Sequence, residues 1–237
     1  MRLHVLYAIA LLLIINFKLL PQSGWFQQNS GTNSKLLRCY FINDMVGFAC
    51  GKDGAIIRTF DGGNYWQQSY YHQNYDVLSI YFLENAGWAI MQNKVTRDSV
   101  FVLKTDNYGL TWDKYFVDTN YSSWEIADLK FINVSVGYAA FERAFYKTTN
   151  GGLNWSVSRG LFCSGMFFFF FFNGWIGHSS SNIYKTTDSG ANWFDQYIFW
   201  PNQYLVDLFF INANSGFCIS DPFGDGKLFL TSNGGEN

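Results

Sequence analysis

The segment Thr186-Thr-Asp188-Ser-Gly190-Ala-Asn-Trp193 is one of five copies of a single turn motif in this chain. Each copy begins with Thr, has Asp or Asn in third place and Gly in fifth place, and four of the five continue to Trp. The third residues of successive copies are 46, 43, 38 and 45 positions apart. A repeat of this length, built from short strands and Gly-rich turns, is typical of a β-propeller, in which every repeat forms one small antiparallel sheet, or blade.

The residue types of the turn motif are those that stabilise a tight hairpin loop. The Thr hydroxyl and the Asp side chain accept backbone N–H bonds, Gly supplies a positive φ, and Trp covers the hairpin. Asn replaces Asp in three of the five copies, which a catalytic carboxylate would not tolerate, so we predict a structural role. The residues assigned this role are Thr59, Asp61, Gly63 and Trp66; Thr105, Asn107, Gly109 and Trp112; Thr148, Asn150, Gly152 and Trp155; Thr186, Asp188, Gly190 and Trp193; and Thr231, Asn233 and Gly235.

In each repeat, the residues before the turn motif predict three strands, and the motif leads into a fourth. An apolar strand comes first, a Gly–aromatic pair such as Gly87–Trp88 opens the second strand, and a third strand leads into the turn motif. Alternating apolar residues bounded by Gly, Asn and Asp indicate half-buried strands. We therefore predict an all-β propeller of four-stranded blades over residues 24–237, without helices. The fifth repeat is incomplete, so we expect about five blades, truncated from a chain of six or seven.

These repeats resemble BNR/Asp-box repeats, whose form is Ser/Thr-x-Asp-x-Gly-x-Thr/Ser/Asn-Trp. The linked order of Phe, Gly-Trp-Ala and the turn motif resembles the propellers of the photosystem II assembly/stability factor family. Related repeats occur in sortilin-type receptors and in xyloglucanase and sialidase propellers. The resemblance covers residues 25–237, with Asn at 107, 150 and 233 and Tyr65 as departures. It implies the fold strongly and the activity weakly, because one fold hosts many functions.

The N-terminal segment is typical of an export signal. Arg2 precedes an apolar core, Val5–Phe17, and a short polar exit follows up to Ser23. This core of about 13 residues is shorter than the roughly 20 residues of a membrane span. We predict that residues 1–23 are a signal peptide and that the protein acts in the periplasm, at the cell surface or outside the cell, with no stable membrane span afterwards.

Two local features leave alternatives open. Cys39 and Cys50 flank the turn Asn43–Val46, and a hairpin centred there would place them opposite each other, as a disulfide or as two free thiols. The run Phe167–Phe172 fills a strand and a turn where other copies have polar residues. An error in the sequence or a local hydrophobic contact would explain such a turn, which is otherwise an aggregation liability.

Charge and motif content exclude several functional classes. The net charge is −2 and the 16 basic residues are scattered, whereas phosphate binding needs clustered Lys and Arg, so we expect no nucleic-acid partner. No metalloprotease motif or phosphate loop is present, and we predict no cofactor and no metal. The segment Asp221–Gly226 could wrap Ca²⁺, but an enlarged turn is the simpler interpretation.

Catalytic residues are not indicated by the sequence. A sialidase needs three converging Arg residues, for which no supporting segment exists. Glycoside hydrolysis needs two carboxylates that flank the scissile bond. The candidates are Asp76, Asp128, Asp207 and Asp221, and the equivalent strand positions of Asp128 and Asp207 favour a structural role. We predict a non-enzymatic binding or assembly scaffold, with a glycoside hydrolase of the xyloglucanase or sialidase type as the alternative; an assembly role in photosystem II is implied by the resemblance alone.

The predicted partner surface lies on the face that carries the second hairpins and the links between blades. These are the longest and most variable segments, and they contain exposed aromatic residues suited to a protein or glycan partner. The alternative is that these rings only cap the core. The candidate binding residues are Tyr71, Tyr75, Tyr121, Trp124, Trp200 and Tyr204.

Overall fold

The computed structural model describes residues 24, 26–119, 128–141, 144–159, 163–169, 172–178, 182–197, 205–221 and 226–236. Within these ranges all regular structure is β except one 3₁₀ turn, Lys52–Gly54. Five antiparallel sheets follow one another along the chain, which confirms the prediction of an all-β propeller. The same ranges contain no helix with the length and apolar character that crossing a membrane requires. The predicted signal, residues 1–23, lies outside them.

Each sheet is one blade, and its strands are ordered as in the sequence. Blade 1 contains β1 (Leu36–Phe41), β2 (Gly47–Gly51), β3 (Ile56–Thr59) and β4 (Gln67–Tyr70). Blade 2 contains β5 (Tyr75–Leu83), β6 (Ala86–Asn93), β7 (Ser99–Thr105) and β8 (Asp113–Thr119). Blade 3 contains β9 (Asp128–Phe131), β10 (Gly137–Phe141), β11 (Ala144–Thr148) and β12 (Ser156–Arg159). Blade 4 contains β13 (Cys163–Phe169), β14 (Asn173–His178), β15 (Asn182–Thr186) and β16 (Phe194–Tyr197), and the described part of blade 5 contains β17 (Leu205–Phe210), β18 (Gly216–Ser220) and β19 (Lys227–Thr231).

The blades are joined by a repeated stack of aromatic rings. The aromatic residue that follows Gly in the second strand of one blade lies flat against a Phe of the next blade, which is the last or next-to-last residue of the first strand and is called the terminal Phe. The ring planes meet at 8° to 15°, and the centroids are 3.7 to 4.0 Å apart. The motif Trp of the second blade then meets the same Phe edge-on, as Trp155 meets Phe131 at 6.0 Å. The four stacked pairs are Phe48–Phe82, Trp88–Phe131, Tyr138–Phe168 and Trp175–Phe210.

All five turn motifs form the same hydrogen bonds. The Thr hydroxyl donates to the Oδ1 atom of Asp or Asn at 2.8 to 3.0 Å and accepts the N–H of Gly at 2.8 to 3.0 Å. The same Oδ1 atom accepts a backbone N–H from further along the turn, such as that of Asn154 at 3.0 Å. Because a single oxygen serves both contacts, Asn can replace Asp without losing either bond.

Asp188 uses its second oxygen as well, and this gives the turn a dependence on pH. Its Oδ1 accepts the backbone N–H of Asn192 at 2.8 Å, and its Oδ2 accepts the Asn192 side-chain amide at 2.7 Å. These bonds, the backbone one first, lower the pKa of Asp188 to about 2. A carboxyl group whose pKa is lower in the folded state stabilises the fold above its unfolded pKa of about 3.9, and this contribution disappears as pH falls toward the folded value.

We therefore expect wild-type protein to lose more stability between about pH 4 and pH 2 than an Asp188→Asn variant, because Asn keeps the Oδ1 contacts without a titrating charge. Urea unfolding followed by circular dichroism across this interval measures the difference. An Asn150→Asp variant tests the converse, since it should gain acid sensitivity. Stability curves that run parallel for wild type and Asp188→Asn would contradict the expectation.

The fourth residue of the turn motif connects the blades through its carbonyl oxygen. Trp88 donates its indole N–H to Gly151 O at 2.8 Å, and Trp175 donates to Gly234 O at 3.1 Å. The Tyr138 hydroxyl donates to the equivalent Ser189 O. The fourth residue has a positive φ in these three turns, which directs its carbonyl toward the preceding blade. The turn motif thus belongs to the joint between two blades.

Blade 1 forms this bond with a different residue. Phe48 occupies the position of Trp88 and has no group that can donate. Arg58, which lies opposite Phe48 in the strand register, donates instead from Nη1 to Tyr108 O at 3.2 Å. All four joints between described blades are therefore bonded in the same place.

The two local alternatives of the sequence are partly resolved. Cys39 pairs with Ala49 and Cys50 with Arg38, so the two thiols lie on opposite faces of the sheet. Both are free, which excludes the disulfide, and burial raises the pKa of Cys50 to about 12. In the Phe run, Phe168 is core and Phe172 is exposed, while residues 170 and 171 lie outside the described ranges.

Candidate binding surfaces

The first candidate surface, the upper face, consists of the second hairpins and the links between blades. Its described part lies on blades 1 and 2. Tyr71, in the link between these blades, is 51% exposed. Four of the six predicted binding residues fall outside the described residues: Tyr121, Trp124, Trp200 and Tyr204.

Tyr75, the other described residue of the predicted binding set, packs against neighbouring side chains. It begins β5, and its ring meets His72 edge-on at 4.8 Å and Phe101 edge-on at 5.5 Å. Lys114 covers the ring with its ammonium group 4.4 Å from the centroid and donates to the Tyr75 hydroxyl at 3.2 Å. Tyr75 is therefore held among neighbours, whereas Tyr71 is presented to solvent.

Two ion pairs fix the hairpins of blades 1 and 2 against each other. Lys52 contacts Asp76 at 2.7 Å, and Lys94 contacts Asp53 at 2.7 Å. The backbone N–H of Asp53 also donates to Asp76 at 3.1 Å. Partly exposed pairs of this kind contribute about 0–1 kcal/mol each, so their main effect is positional. Asp76 is engaged in holding this corner of the upper face.

The second candidate surface lies at the propeller axis, where the first strands of successive blades pack side by side. In blades 2 to 5, the residue three positions before the terminal Phe faces the axis, because the residue that follows it, such as Leu129 or Leu208, is buried in the core. Arg38 has the same strand position in blade 1. A β-bulge directly precedes this position in four of the five blades, and bulges re-aim side chains. The five axial residues are Arg38, Ser79, Asp128, Gly165 and Asp207.

The two axial carboxylates have the same local geometry. Asp128 Oδ1 accepts the N–H of Leu129 at 2.9 Å, and Asp207 Oδ1 accepts the N–H of Leu208 at 2.8 Å. Burial raises the pKa of Asp128, and the charge of Asp207 adds to that effect, while the Leu129 N–H, Lys130 and Arg38 oppose it. Blade 4 has Gly165 at the axial position between the two carboxylates, where an added Cβ would lie 3.1 Å from Asp207 Oδ1, closer than an ordinary van der Waals contact.

A second axial layer, the aromatic collar, follows two residues along each first strand. Tyr40 and Tyr81 lie 5.1 Å apart, and Phe167 meets Phe209 at 5.1 Å. The Lys130 ammonium lies between Tyr81 and Phe167, at 5.6 and 5.9 Å from their centroids. This collar was not among the residues predicted from the sequence, although each member directly precedes the terminal Phe.

Comparison with known proteins relates the chain to one family. Residues 18–161 match the family described as photosynthesis system II assembly factor YCF48. The curated protein "Photosystem II assembly lipoprotein Ycf48" of Synechococcus sp. (strain CC9902) is 28% identical over 140 residues, which are 57% of this chain and 40% of the relative. The chain thus matches less than half the length of that relative.

Solved structures share the fold at low sequence identity. The structure "YCF48 bound to D1 peptide" superposes with a TM-score of 0.63 at 18% identity, covering 90% of this chain and 74% of that one. The GH74 xyloglucanase from Xanthomonas campestris gives a TM-score of 0.64 at 10% identity, covering 88% of this chain and 38% of the enzyme. At these identities the likeness concerns the fold alone.

Proposed function

Because this chain belongs to the photosynthesis system II assembly factor YCF48 family, we propose that it is an exported, non-enzymatic scaffold that binds an extended segment of a partner protein on its upper face. A solved relative with the same fold is bound to a D1 peptide, which supports a peptide segment as the ligand class. A propeller suits this task, since its loops are presented by a rigid set of joined blades.

The observation that carries the proposal is that the exposed ring of Tyr71 lies between two hairpins joined by ion pairs. Tyr71 projects from a link whose flanking hairpins are fixed by the Lys52–Asp76 and Lys94–Asp53 pairs. A Tyr ring offers a large contact area and loses little conformational entropy on binding. Trp124 and Trp200, from the links that enter blades 3 and 5, are proposed to extend the same surface.

We expect Tyr71→Ala, Trp124→Ala and Trp200→Ala each to weaken binding by about tenfold, the cost of removing an aromatic anchor from an interface. Isothermal titration calorimetry with a synthetic D1 peptide gives the affinities, and thermal melts confirm that the fold is retained. Tyr65→Ala is the matched control, because Tyr65 is 68% exposed in a turn motif on the opposite face. Equal losses in Tyr65→Ala, or no binding by wild type, would contradict the proposal.

Export is the second part of the proposal and has its own test. It is supported by Arg2 with the apolar core Val5–Phe17 and by a curated relative described as a lipoprotein. N-terminal sequencing of the mature protein should find a start near residue 24. A soluble cytosolic protein that starts at Met1 would contradict it.

Glycoside hydrolysis is the second candidate, favoured by one observation. Asp128 and Asp207 both face the axis, and the pKa of Asp128 is raised, as a general acid requires. Assays for reducing sugar on a panel of polysaccharides test this candidate. The scaffold proposal expects no release. Reproducible release that is lost in Asp128→Asn and in Asp207→Asn would establish the hydrolase instead.

A further inference from the structure

A groove lies between blades 1 and 2 at the outer rim of the propeller, where their fourth strands differ in length. Strand β4 of blade 1 has four residues and ends at Tyr70, whereas β8 of blade 2 has seven and continues to Thr119. Tyr70 pairs with the residue three positions before the motif Thr, and Phe116 with the residue four positions before it, so Phe116 lies one pair beyond the end of β4. The upper part of β8 therefore extends past the outer strand of blade 1, and Phe116 is 54% exposed.

The floor of this groove is a set of aromatic rings that continues to the upper face. Phe116 meets Phe101 edge-on at 5.7 Å, and Phe101 meets Tyr75 edge-on at 5.5 Å. The link that carries Tyr71 reaches the set through the next residue, His72, whose ring meets Tyr75 at 4.8 Å. Both blades that form the groove are complete four-stranded sheets. We call the surface formed by Tyr71, Tyr75, Phe101, Lys114 and Phe116 the rim groove.

Lys114 brings an oriented positive charge to the rim groove. Its ammonium group lies 4.4 Å from the centroid of Tyr75 and 4.0 Å from that of Phe101, and it donates to the Tyr75 hydroxyl at 3.2 Å. Two ring faces and a neutral hydroxyl orient the ammonium group without neutralising it. Within the described ranges Lys114 forms no ion pair, whereas Lys52 and Lys94, on the same two blades, each have a carboxylate partner.

The carboxylates of this joint are engaged with other groups. Asp76 contacts Lys52 and accepts the Asp53 N–H, and Asp118 of β8 accepts the Tyr146 hydroxyl of blade 3 at 2.9 Å. The rim groove thus presents exposed aromatic area together with an oriented cation that has no carboxylate partner among the described residues.

We propose that the rim groove binds the partner segment at a point where it carries an Asp or Glu close to an apolar side chain. The carboxylate pairs with Lys114, and the apolar side chain packs on Phe116. This inference rests on the proposed function, because it extends the upper-face site from Tyr71 down the outer rim. It also defines the chemistry of the ligand, an acidic and apolar peptide segment.

Panning a phage-displayed library of random dodecapeptides on the immobilised protein tests the proposal. Peptides that bind wild type but bind Tyr71→Ala more weakly are kept, because they occupy the upper face. These peptides should carry an Asp or Glu within a few residues of an apolar residue. Replacing that acidic residue with its amide should weaken binding to wild type by roughly fivefold, the upper range for a partly exposed ion pair, as measured by isothermal titration calorimetry.

Two variants of the rim groove test the two contacts separately. Lys114→Gln should weaken binding by the same factor and should make the acid-to-amide change in the peptide neutral, because the two charges act on each other. Phe116→Ala should weaken binding by about tenfold. Lys35→Gln is the matched control, since Lys35 is an exposed lysine that precedes β1, at the opposite side of blade 1 from its outer strand, and it should bind like wild type. Thermal melts show that each variant is folded.

The results that would overturn the proposal separate it from the proposed function. If Tyr71-dependent peptides lack an acidic residue near an apolar one, or if Lys114→Gln and Phe116→Ala bind them like wild type, the rim groove takes no part and the upper-face scaffold stands. If the acid-to-amide change has the same effect in Lys114→Gln as in wild type, the carboxylate contacts another group and the scaffold again stands. If no selected peptide depends on Tyr71, the proposed function fails, and the rim groove fails with it.

Discussion

Replacing Trp88 with Ala is expected to lower the free energy of unfolding by about 3–5 kcal/mol, the cost of emptying a fully buried aromatic site. The Trp88 ring is 0% exposed and stacks on Phe131 at 3.7 Å, and its indole N–H bonds Gly151 O at 2.8 Å. The substitution removes both contacts between blades 2 and 3 and leaves a buried carbonyl without a donor. Urea unfolding followed by far-ultraviolet circular dichroism measures the loss.

Two further variants test the origin of that loss. Trp88→Phe keeps the stack and removes only the donor, so it should cost about 1–3 kcal/mol. Phe217→Ala removes the equivalent ring of blade 5, which is only partly buried and stacks on no terminal Phe among the described residues, and it should cost less than Trp88→Ala. If Trp88→Phe were as damaging as Trp88→Ala, the hydrogen bond would dominate the joint and the stack would contribute little.

Gly87→Ala is expected to destabilise the fold by about 2–3 kcal/mol, although Ala normally suits a strand better than Gly does. A Cβ at Gly87 would lie 2.2 Å from the Phe82 ring of the same blade. That ring is 1% exposed and is held between the flat face of Phe48 at 3.8 Å and the edge of Trp112 at 5.9 Å. Because the Phe82 ring is enclosed on both sides, it cannot move away from the added Cβ, and the joint between blades 1 and 2 must be distorted.

The equivalent position in blade 1 provides the control for this prediction. A Cβ at Gly47 would meet the Phe41 ring at 2.5 Å, but Phe41 has one face uncovered and can shift. Gly47→Ala should therefore cost clearly less than Gly87→Ala in the same urea unfolding experiment. Adding Phe82→Leu to Gly87→Ala should recover part of the loss. Equal costs at the two glycines would show that close packing of the ring is not the reason for Gly at this position.

The sequence predicted the parts of the fold that depend on local order. The five motif copies and the Gly–aromatic pairs predicted where strands begin and where the third hairpin turns, because turn chemistry and alternation act over a few residues. The structure shows these turns with Thr148 and its equivalents bonded as the residue types suggest. It also explains the Gly of each pair, which lies under the terminal Phe of its own blade.

Contacts between distant residues could not be predicted in the same way. The bond from Arg58 to Tyr108 joins residues of different blades and replaces one that Phe48 cannot make, and no local pattern indicates such an exchange. The disulfide alternative failed because the hairpin loop spans Ile42–Val46, one residue more than assumed. A shift of one residue turns a side chain to the other face of a strand, which separated Cys39 from Cys50.

In the candidate sites too, features that depend on local sequence could be predicted, whereas contacts between distant residues could not. The equivalence of Asp128 and Asp207 was visible in the sequence, and the structure places both at the axis. The different surroundings of Tyr71 and Tyr75 were not visible, because they depend on Lys114 and Phe101 from later strands. Which of the upper-face rings contact a partner stays a prediction.

The two rings of each joint between blades are synthesised at different times, because they lie tens of residues apart in the sequence. Each second-strand aromatic is synthesised before the Phe on which it stacks. The separation in sequence is 34 residues for Phe48–Phe82, 43 for Trp88–Phe131, 30 for Tyr138–Phe168 and 35 for Trp175–Phe210. At translation rates of 5–20 residues per second, the interval between the synthesis of the two stacked residues is roughly 2–9 seconds. As the chain emerges in order, the last completed blade therefore exposes its second-strand ring to solvent until the first strand of the following blade has emerged to stack on it.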